Sequence, residues 1–274
     1  GGCFTPNGCT TCADYWDGTV WTSGTGMTYK KCNHQTTGAS SNSAITIAGC
    51  VQGCTGSHTE EWDGSAWTLT TCTPYNQRCF GATGIVNDTI AAGGAANPMC
   101  CLTIFYNGST WSSGPQLHCK AESLTLAGTS NSTLGQGGNT TCKCAQEYDG
   151  TAWKAGARST VNFCACQHAA GNSSTDGIVF GGCCHCNSEI YSETSTPKAW
   201  AFESRMLCTH RCHGAFGSAT TAHATGGDPN NCINEVWNGS VWALDVSNLA
   251  CQRFRATAWG TANSGVVVGG CSCC

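Results

Sequence analysis

A seven-residue unit returns along the chain at a nearly constant step, and this constrains the fold more than any other feature. Tyr15-Trp16-Asp17-Gly18-Thr19-Val20-Trp21 recurs as Glu61-Trp62-Asp63-Gly64-Ser65-Ala66-Trp67, then as Phe105-Tyr106-Asn107-Gly108-Ser109-Thr110-Trp111. It returns as Glu147-Tyr148-Asp149-Gly150-Thr151-Ala152-Trp153 and Val236-Trp237-Asn238-Gly239-Ser240-Val241-Trp242, with a stretched copy from Ile190-Tyr191 to Ala199-Trp200. The closing Trp falls at 21, 67, 111, 153, 200 and 242, in steps of 46, 44, 42, 47 and 42. Between copies lies a Gly-Gly after a short apolar run, at Gly93-Gly94, Gly137-Gly138, Gly181-Gly182, Gly226-Gly227 and Gly269-Gly270. Gly1-Gly2 keeps the same phase and Ala48-Gly49 is a degenerate copy, so seven landmarks bound six repeats. A fixed period of this size signals a repeat architecture.

Each repeat reads as four strands. Asp-Gly or Asn-Gly between aromatic residues predicts a hairpin with a type I′ turn, which needs positive φ at both central positions. A second hairpin precedes each Gly-Gly, for example Cys79 to Val86, a turn at Asn87-Asp88, then Thr89 to Ala92. No 3.6-residue periodicity appears, so no substantial helix is expected. A four-stranded sheet cannot bury both faces alone, and radial stacking of several such sheets gives a β-propeller.

Gly-Gly, an aromatic, then Trp, on a period near 44 residues, resembles kelch repeats. The resemblance implies an all-β, six-bladed propeller of four-stranded antiparallel blades over residues 1–274 as a single domain. The aromatic-to-Trp spacing is five residues at Trp62 to Trp67 and nine at Tyr191 to Trp200. The chain starts and ends in the same phase. One blade is therefore expected to be assembled from N- and C-terminal half-blades, either within one chain or between neighbouring molecules. The repeated Trp and Tyr residues are expected to pack blade on blade.

Composition narrows the class. Charged residues are 10% of the chain and the formal net charge is −4, with 12 Lys+Arg against 16 Asp+Glu. So few cations build no phosphate-neutralising patch, which argues against a nucleic-acid partner. No apolar run reaches the ~18–20 residues of a membrane helix, so no membrane insertion is expected. Hydrophobic residues at 40% and ten Trp exclude disorder.

The chain holds 25 cysteines. Such density signals a disulfide-rich scaffold matured in an oxidising, secreted or extracellular setting. Cys32, Cys79, Cys119, Cys164, Cys166, Cys208, Cys212 and Cys251 lie near the start of an innermost strand, with Cys72 just before one. Cys50, Cys54, Cys100, Cys101, Cys142, Cys144, Cys183, Cys184, Cys186, Cys232 and Cys271 follow Gly-Gly landmarks. Cys3, Cys9 and Cys12 open the chain and Cys273 and Cys274 close it, as terminal or intermolecular cysteines. In up-and-down blades these positions share one face of the disc. Expected pairings are Cys79 with Cys100 or Cys101, Cys119 with Cys142 or Cys144, and Cys251 with Cys271 or a neighbour. An odd total leaves at least one thiol for a second copy.

Six Asn-x-Ser/Thr sequons, at Asn87, Asn107, Asn131, Asn139, Asn172 and Asn238, are candidate glycosylation sites. All but Asn139 fall on the face opposite the cysteines. Cys183-Cys184-His185-Cys186 and Cys208-Thr209-His210-Arg211-Cys212-His213 contain zinc-ligand residue types. Their cysteines share repeat positions with cysteines that have no His nearby, so disulfides are expected and no metal. Copper-radical oxidases also use kelch-like propellers, with a Tyr–Cys cross-link, a second Tyr and two His. The repeat claims most tyrosines here, leaving Tyr29 and Tyr75, and no His pair stands out. No nucleophile elbow, phosphate loop or paired-carboxylate motif is visible, so no enzyme activity and no cofactor are expected. The expected function is an extracellular structural glycoprotein, a self-associating subunit of a fibre, coat or appendage. The alternative is a secreted, lectin-like propeller that binds glycans.

Overall fold

The computed structural model describes residues 9–51, 54–95, 101–138, 143–163, 166–182, 186–192, 198–229 and 232–271. It is all-β, with no α-helix among the described residues. Six antiparallel blades of four radially ordered strands surround a central channel. Blade 1 runs outward through Gln35–Ser40, Ser43–Val51, Cys54–Trp62 and Trp67–Thr70. Blade 2 uses Gly81–Ile85, Asp88–Ala92, Thr103–Tyr106 and Trp111–Ser113. Blade 3 uses Thr125–Thr129, Ser132–Gln136, Ala145–Tyr148 and Trp153–Ala155. Blade 4 uses Gln167–Ser173, Asp176–Gly181, Ser188–Ser192 and Ala199–Phe202. Blade 5 uses Gly214–Gly217, Ala222–Thr225, Asn234–Trp237 and Trp242–Leu244.

Blade 6 is composite. Thr257–Thr261 and Ser264–Val268 form its inner half, and Ala13–Trp16 and Trp21–Gly24 its outer half. The halves join in register from Ala13↔Val268 to Trp16↔Gly265. The ring therefore closes within one chain.

Burial follows radial position. The second strand of each blade is covered on both faces by its neighbours, so it reads as a continuous buried run. Ala44 to Ala48 and Val266 to Val268 are completely buried. Outer strands bury mainly their leading Trp, as in Trp67–Thr70. Six apolar clusters each fill one gap between consecutive blades. Each buried aromatic or branched aliphatic side chain contributes roughly 1.5–3 kcal/mol. The repeated aromatics lie in these gaps. Trp16 meets Trp21 at 5.5 Å within its hairpin, and Trp21 meets Phe216 of blade 5 edge-on at 6.0 Å.

The outer hairpins form as expected, but with a different turn. Trp16 pairs with Trp21, leaving a four-residue loop in place of a two-residue type I′ turn. Only its Gly has positive φ, +97° at Gly18. The preceding side chain does the rest: Asp17 Oδ1 accepts from the amides of Thr19 and Val20 at 2.8 and 2.9 Å. The blade 2 inner turn also shifts, because Asp88 belongs to a strand and Ile85 pairs with it. At each Gly-Gly among the described residues both glycines have positive φ, for example +74° and +126° at Gly93 and Gly94. A Cβ on Gly93 would sit 2.6 Å from the Ala121 carbonyl, so a side chain has no room there.

Candidate functional site

The antiparallel order puts every loop that follows Gly-Gly, and every loop that leads into an inner strand, on one face of the disc. All cysteines with described side chains belong to that face. Three layers of chemistry organise it.

The first layer is a ring around the channel mouth. Asn33, Cys79, Ser123, Cys166, Cys212 and Arg255 precede the six inner strands, and all have φ between +52° and +62°. Their amides hand the chain from blade to blade. Cys79 N donates to Asn33 O at 3.2 Å, Ser123 N to Cys79 O at 2.7 Å, and Cys212 N to Cys166 O at 3.1 Å. Arg255 N donates to Cys212 O at 2.7 Å, and Asn33 N to Arg255 O at 3.4 Å. Left-handed backbone costs a non-glycine residue about 1–2 kcal/mol, and the shared hydrogen bonds hold it in place. The side chains of Cys79, Cys166 and Cys212 line the narrow end of the channel with Arg255. Cys166 and Cys212 Sγ stand 2.7 Å apart.

The second layer is a set of four buried acids and one buried amide. Two residues before the aromatic that pairs with the closing Trp stand Asp14, Glu60, Gln146, Glu189 and Glu235, all fully buried. Each accepts backbone amides from the loop that enters the same blade. Glu60 takes Thr28 N at 2.7 Å, and Glu235 takes Leu207 N and Cys208 N at 2.7 and 2.8 Å. Gln146 takes Cys119 N, and Asp14 takes Cys251 N. Three of the acids also meet a buried cationic residue type two positions before the ring residue. Lys31 reaches Glu60 at 3.1 Å, His210 reaches Glu235 at 2.9 Å, and Arg253 reaches Asp14 at 2.6 Å. Burial pushes the Lys31 ammonium down to about 8, with Glu60 opposing the shift. Removing one partner from such a pair strands the other, which typically costs ~3–5 kcal/mol.

The third layer is the thiols. Cys119 and Cys144 Sγ lie 3.4 Å apart, and the Cys251 thiol meets Cys12. Tyr29 stacks on His58 at 4.7 Å at the equivalent place in blade 1. A fourth group gathers Cys9, Cys32 and Cys271, whose Sγ atoms all lie within 4.8 Å of one another, with Cys50 packed against them. Burial pushes the Cys79 thiol up to about 11. Hydrogen bonds from Cys32 and Cys9, aided by Arg255, pull Cys271 down to about 3.

These positions correct part of the expected pairing. Cys251 meets Cys12 and not Cys271, because Asp14 holds the amide of Cys251 and the side chain of Arg253 over the outer half of blade 6. Cys79 faces the channel mouth. Cys119 lies beside Cys144, one of its two expected neighbours. Among the described residues no Sγ pair is at disulfide distance, so the expected disulfide framework appears as proximity and not as formed bonds. Cys72 is exposed, and Cys101, Cys186, Cys208 and Cys232 are half-buried. Cys3, Cys100, Cys142, Cys164, Cys183, Cys184, Cys273, Cys274, Asn139 and His185 lie outside the described residues, as does the side chain of Cys54. His210 and His213 are buried: His210 bridges Glu235 and the Gly226 carbonyl, while His213 packs against His168 and Phe180.

The opposite face carries the turns. Asn87, Asn107, Asn131, Asn172 and Asn238 are all exposed there. Asn107 and Asn238 use Oδ1 to hold their own loops, so the turns do not depend on Nδ2, the atom that carries an N-glycan. On this side the channel opens into a funnel of about 710 Å³. Its wall carries eight Thr and Ser residues beside eight alanines and six glycines, and some of the hydroxyls tie one inner strand to the next, as Thr83 Oγ1 does to Gly128 O at 2.6 Å.

The buried acids and the channel ring were not singled out from sequence. The signal for the acids was present, since Asp, Gln or Glu stands two residues before the aromatic in five of six repeats. The ring had no such signal, because Asn, Cys, Ser and Arg share only a backbone conformation.

Fold and site together define a six-bladed β-propeller with a thiol-bearing face and a turn-bearing face. No protein-family model matches the chain, and neither does any curated protein sequence. A solved structure described as "Structure of YjhT" is similar, with a TM-score of 0.70 at 12% identity, over 90% of this chain and 92% of that one. At that identity the likeness establishes the fold alone.

Proposed function

We propose that this chain is a kelch-like extracellular structural glycoprotein, a self-associating subunit of a fibre, coat or appendage consolidated by disulfides. One observation carries this reading: the disc is partitioned, with the cysteines on one face and the five described sequons exposed on the other. A thiol-bearing face suits covalent joining, and glycans on the far face would keep a surface with only 10% charged residues soluble. The odd total of 25 cysteines supports a bond to a second copy. Leu207, Leu244 and Val246, exposed at 60%, 53% and 98%, add apolar surface at the rims of blades 4 and 5.

A second reading rests on the funnel. Its wall, in which eight Thr and Ser hydroxyls stand among small apolar residues and Asp88 is the ionisable residue, suits a neutral polyhydroxylated ligand such as a glycan. The repeated aromatics do not serve that reading, since they are committed to the gaps between blades.

Negative-stain microscopy and non-reducing gels of native material, with and without reductant, test the first reading. Filaments or covalent ladders that reductant dissolves are expected. Chains that stay monomeric in both, and bind a glycan array, would replace it with the second.

A further inference from the structure

Four thiols meet where the ring closes, and they come from four separate stretches of chain. Cys9 precedes the outer half of blade 6, Cys271 follows its inner half, Cys32 leads into blade 1, and Cys50 lies next to the last residue of the second strand of blade 1. They form their own buried cluster, with Phe254 packed against it. The backbone around them is already laced together. Thr10 N donates to Gly270 O at 2.9 Å, Gly270 N to Lys31 O at 2.9 Å, and Lys31 N to Thr10 O at 3.3 Å.

We propose that these four cysteines are an oxidation site, closed as Cys9–Cys271, which joins the N- and C-terminal segments of blade 6 to each other, and Cys32–Cys50, which ties the entry of blade 1 to its second strand beside them. Strand register selects the pairs. Cys9 stands directly opposite Cys271 in an antiparallel bridge, and Cys32 directly opposite Cys50 in an antiparallel pair. Opposed residues in antiparallel strands have Cα atoms about 4.5–5.5 Å apart, inside the favoured disulfide range of about 4.4–6.8 Å. Side-chain contact agrees, since Cys9 meets Cys271 and Cys32 meets Cys50. Cys32 also meets Cys9 and Cys271, which places it for exchange between bonds as the clasp forms.

The chemistry balances with a low-molecular-weight disulfide as oxidant. The Cys271 thiolate attacks one sulfur of that disulfide and expels a thiolate, leaving a mixed disulfide. The Cys9 thiol then loses its proton, attacks Cys271 Sγ, and expels the second thiolate. Two protein thiols are oxidised, one small disulfide is reduced to two thiols, and the same sequence closes Cys32–Cys50. Arg255, beside Cys271, favours the attacking thiolate. The clasp does not depend on self-association, because both bonds lie within one chain.

The test uses native protein isolated without reductant and denatured directly into excess alkylating agent, so that buried free thiols are capped before they can exchange. The monomer band of a non-reducing gel is digested, and its linked peptides are sequenced by mass spectrometry. Peptides joining Cys9 to Cys271 and Cys32 to Cys50 are the expected result. The paired variant Cys9→Ser with Cys271→Ser should lower the thermal midpoint by on the order of 10 °C under oxidising conditions. In reductant it should match the parent. Alkylation at all four cysteines would overturn the proposal. So would a different pairing, or one equivalent of zinc held by intact thiols in metal analysis of the same preparation.

Discussion

His213 is buried against Gly181, Phe180 and His168, and neither of its ring nitrogens has a hydrogen-bond partner. Desolvation, and the neighbouring His168 and His210, hold it well below the ordinary histidine range. Burial takes His168 down to about 4. Such groups stay neutral in the folded chain while the unfolded chain protonates them near pH 6.5. Their contribution is complete above that pH and falls as the pH drops toward the folded values, by about 1.4 kcal/mol per pH unit for each group. Phe80 occupies the same repeat position in blade 2, so His213→Phe has a precedent within the fold. Urea unfolding at pH 7 and pH 5 should show a smaller acid loss for His213→Phe than for the parent. Identical losses would mean that His213 does not titrate on unfolding. At this scale the sequence was only partly legible. The buried acids sit at a regular offset from the aromatics, but an isolated Glu beside Trp looks like a solvated position until the loop amides above it are placed.

The outer hairpin is the element that repeats most faithfully, and its side-chain cap explains why either Asp or Asn serves. Asn107 Oδ1 accepts from Ser109 N at 3.0 Å, Ser109 Oγ at 3.0 Å and Thr110 N at 2.8 Å. Asp63 makes the same set of bonds in blade 1. Asn107→Ala should therefore destabilise the protein by about 1 kcal/mol. Asn107→Asp should leave stability within a few tenths of a kcal/mol. Both variants destroy the sequon, so any effect of a glycan is common to them and the difference in thermal midpoint reports the cap. Equal loss in both would assign the effect to the sugar. Strand count, blade count and the place of this hairpin were readable from Asp-Gly and Asn-Gly between aromatics. The turn type was not, because the same dipeptide serves two-residue turns and this four-residue loop. The strands alone do not show which register the flanking Trp residues choose.

At the scale of the whole molecule, the common phase of Gly1-Gly2 and Gly269-Gly270 announced a composite blade but left open which molecule supplies each half. In this chain the two halves pair with each other, and packing shows what each contributes. Val266, Val267 and Val268 are completely buried, and Ala13–Trp16 covers their strand edge. The outer half adds Trp16 and Trp21 to the gap shared with Phe216 of blade 5. Arg253 crosses the same junction, reaching Asp14 at 2.6 Å and the Cys12 carbonyl at 2.9 Å. Deleting residues 1–24 removes four backbone-paired positions from an otherwise intact strand, exposes a run of valines as a free edge, and strands the Arg253 guanidinium. An exposed apolar edge is a template for pairing with another chain. The deleted protein should therefore lose its monomer peak on size exclusion, or pair edge to edge, and should melt well below the parent. A peptide spanning residues 9–30, added in trans, should restore the monomer and most of the thermal midpoint, because it carries the strands, Asp14 and both tryptophans. A deleted chain that stays monomeric with an unchanged melt would show that five blades and a half hold themselves, and that closure contributes nothing to the ring.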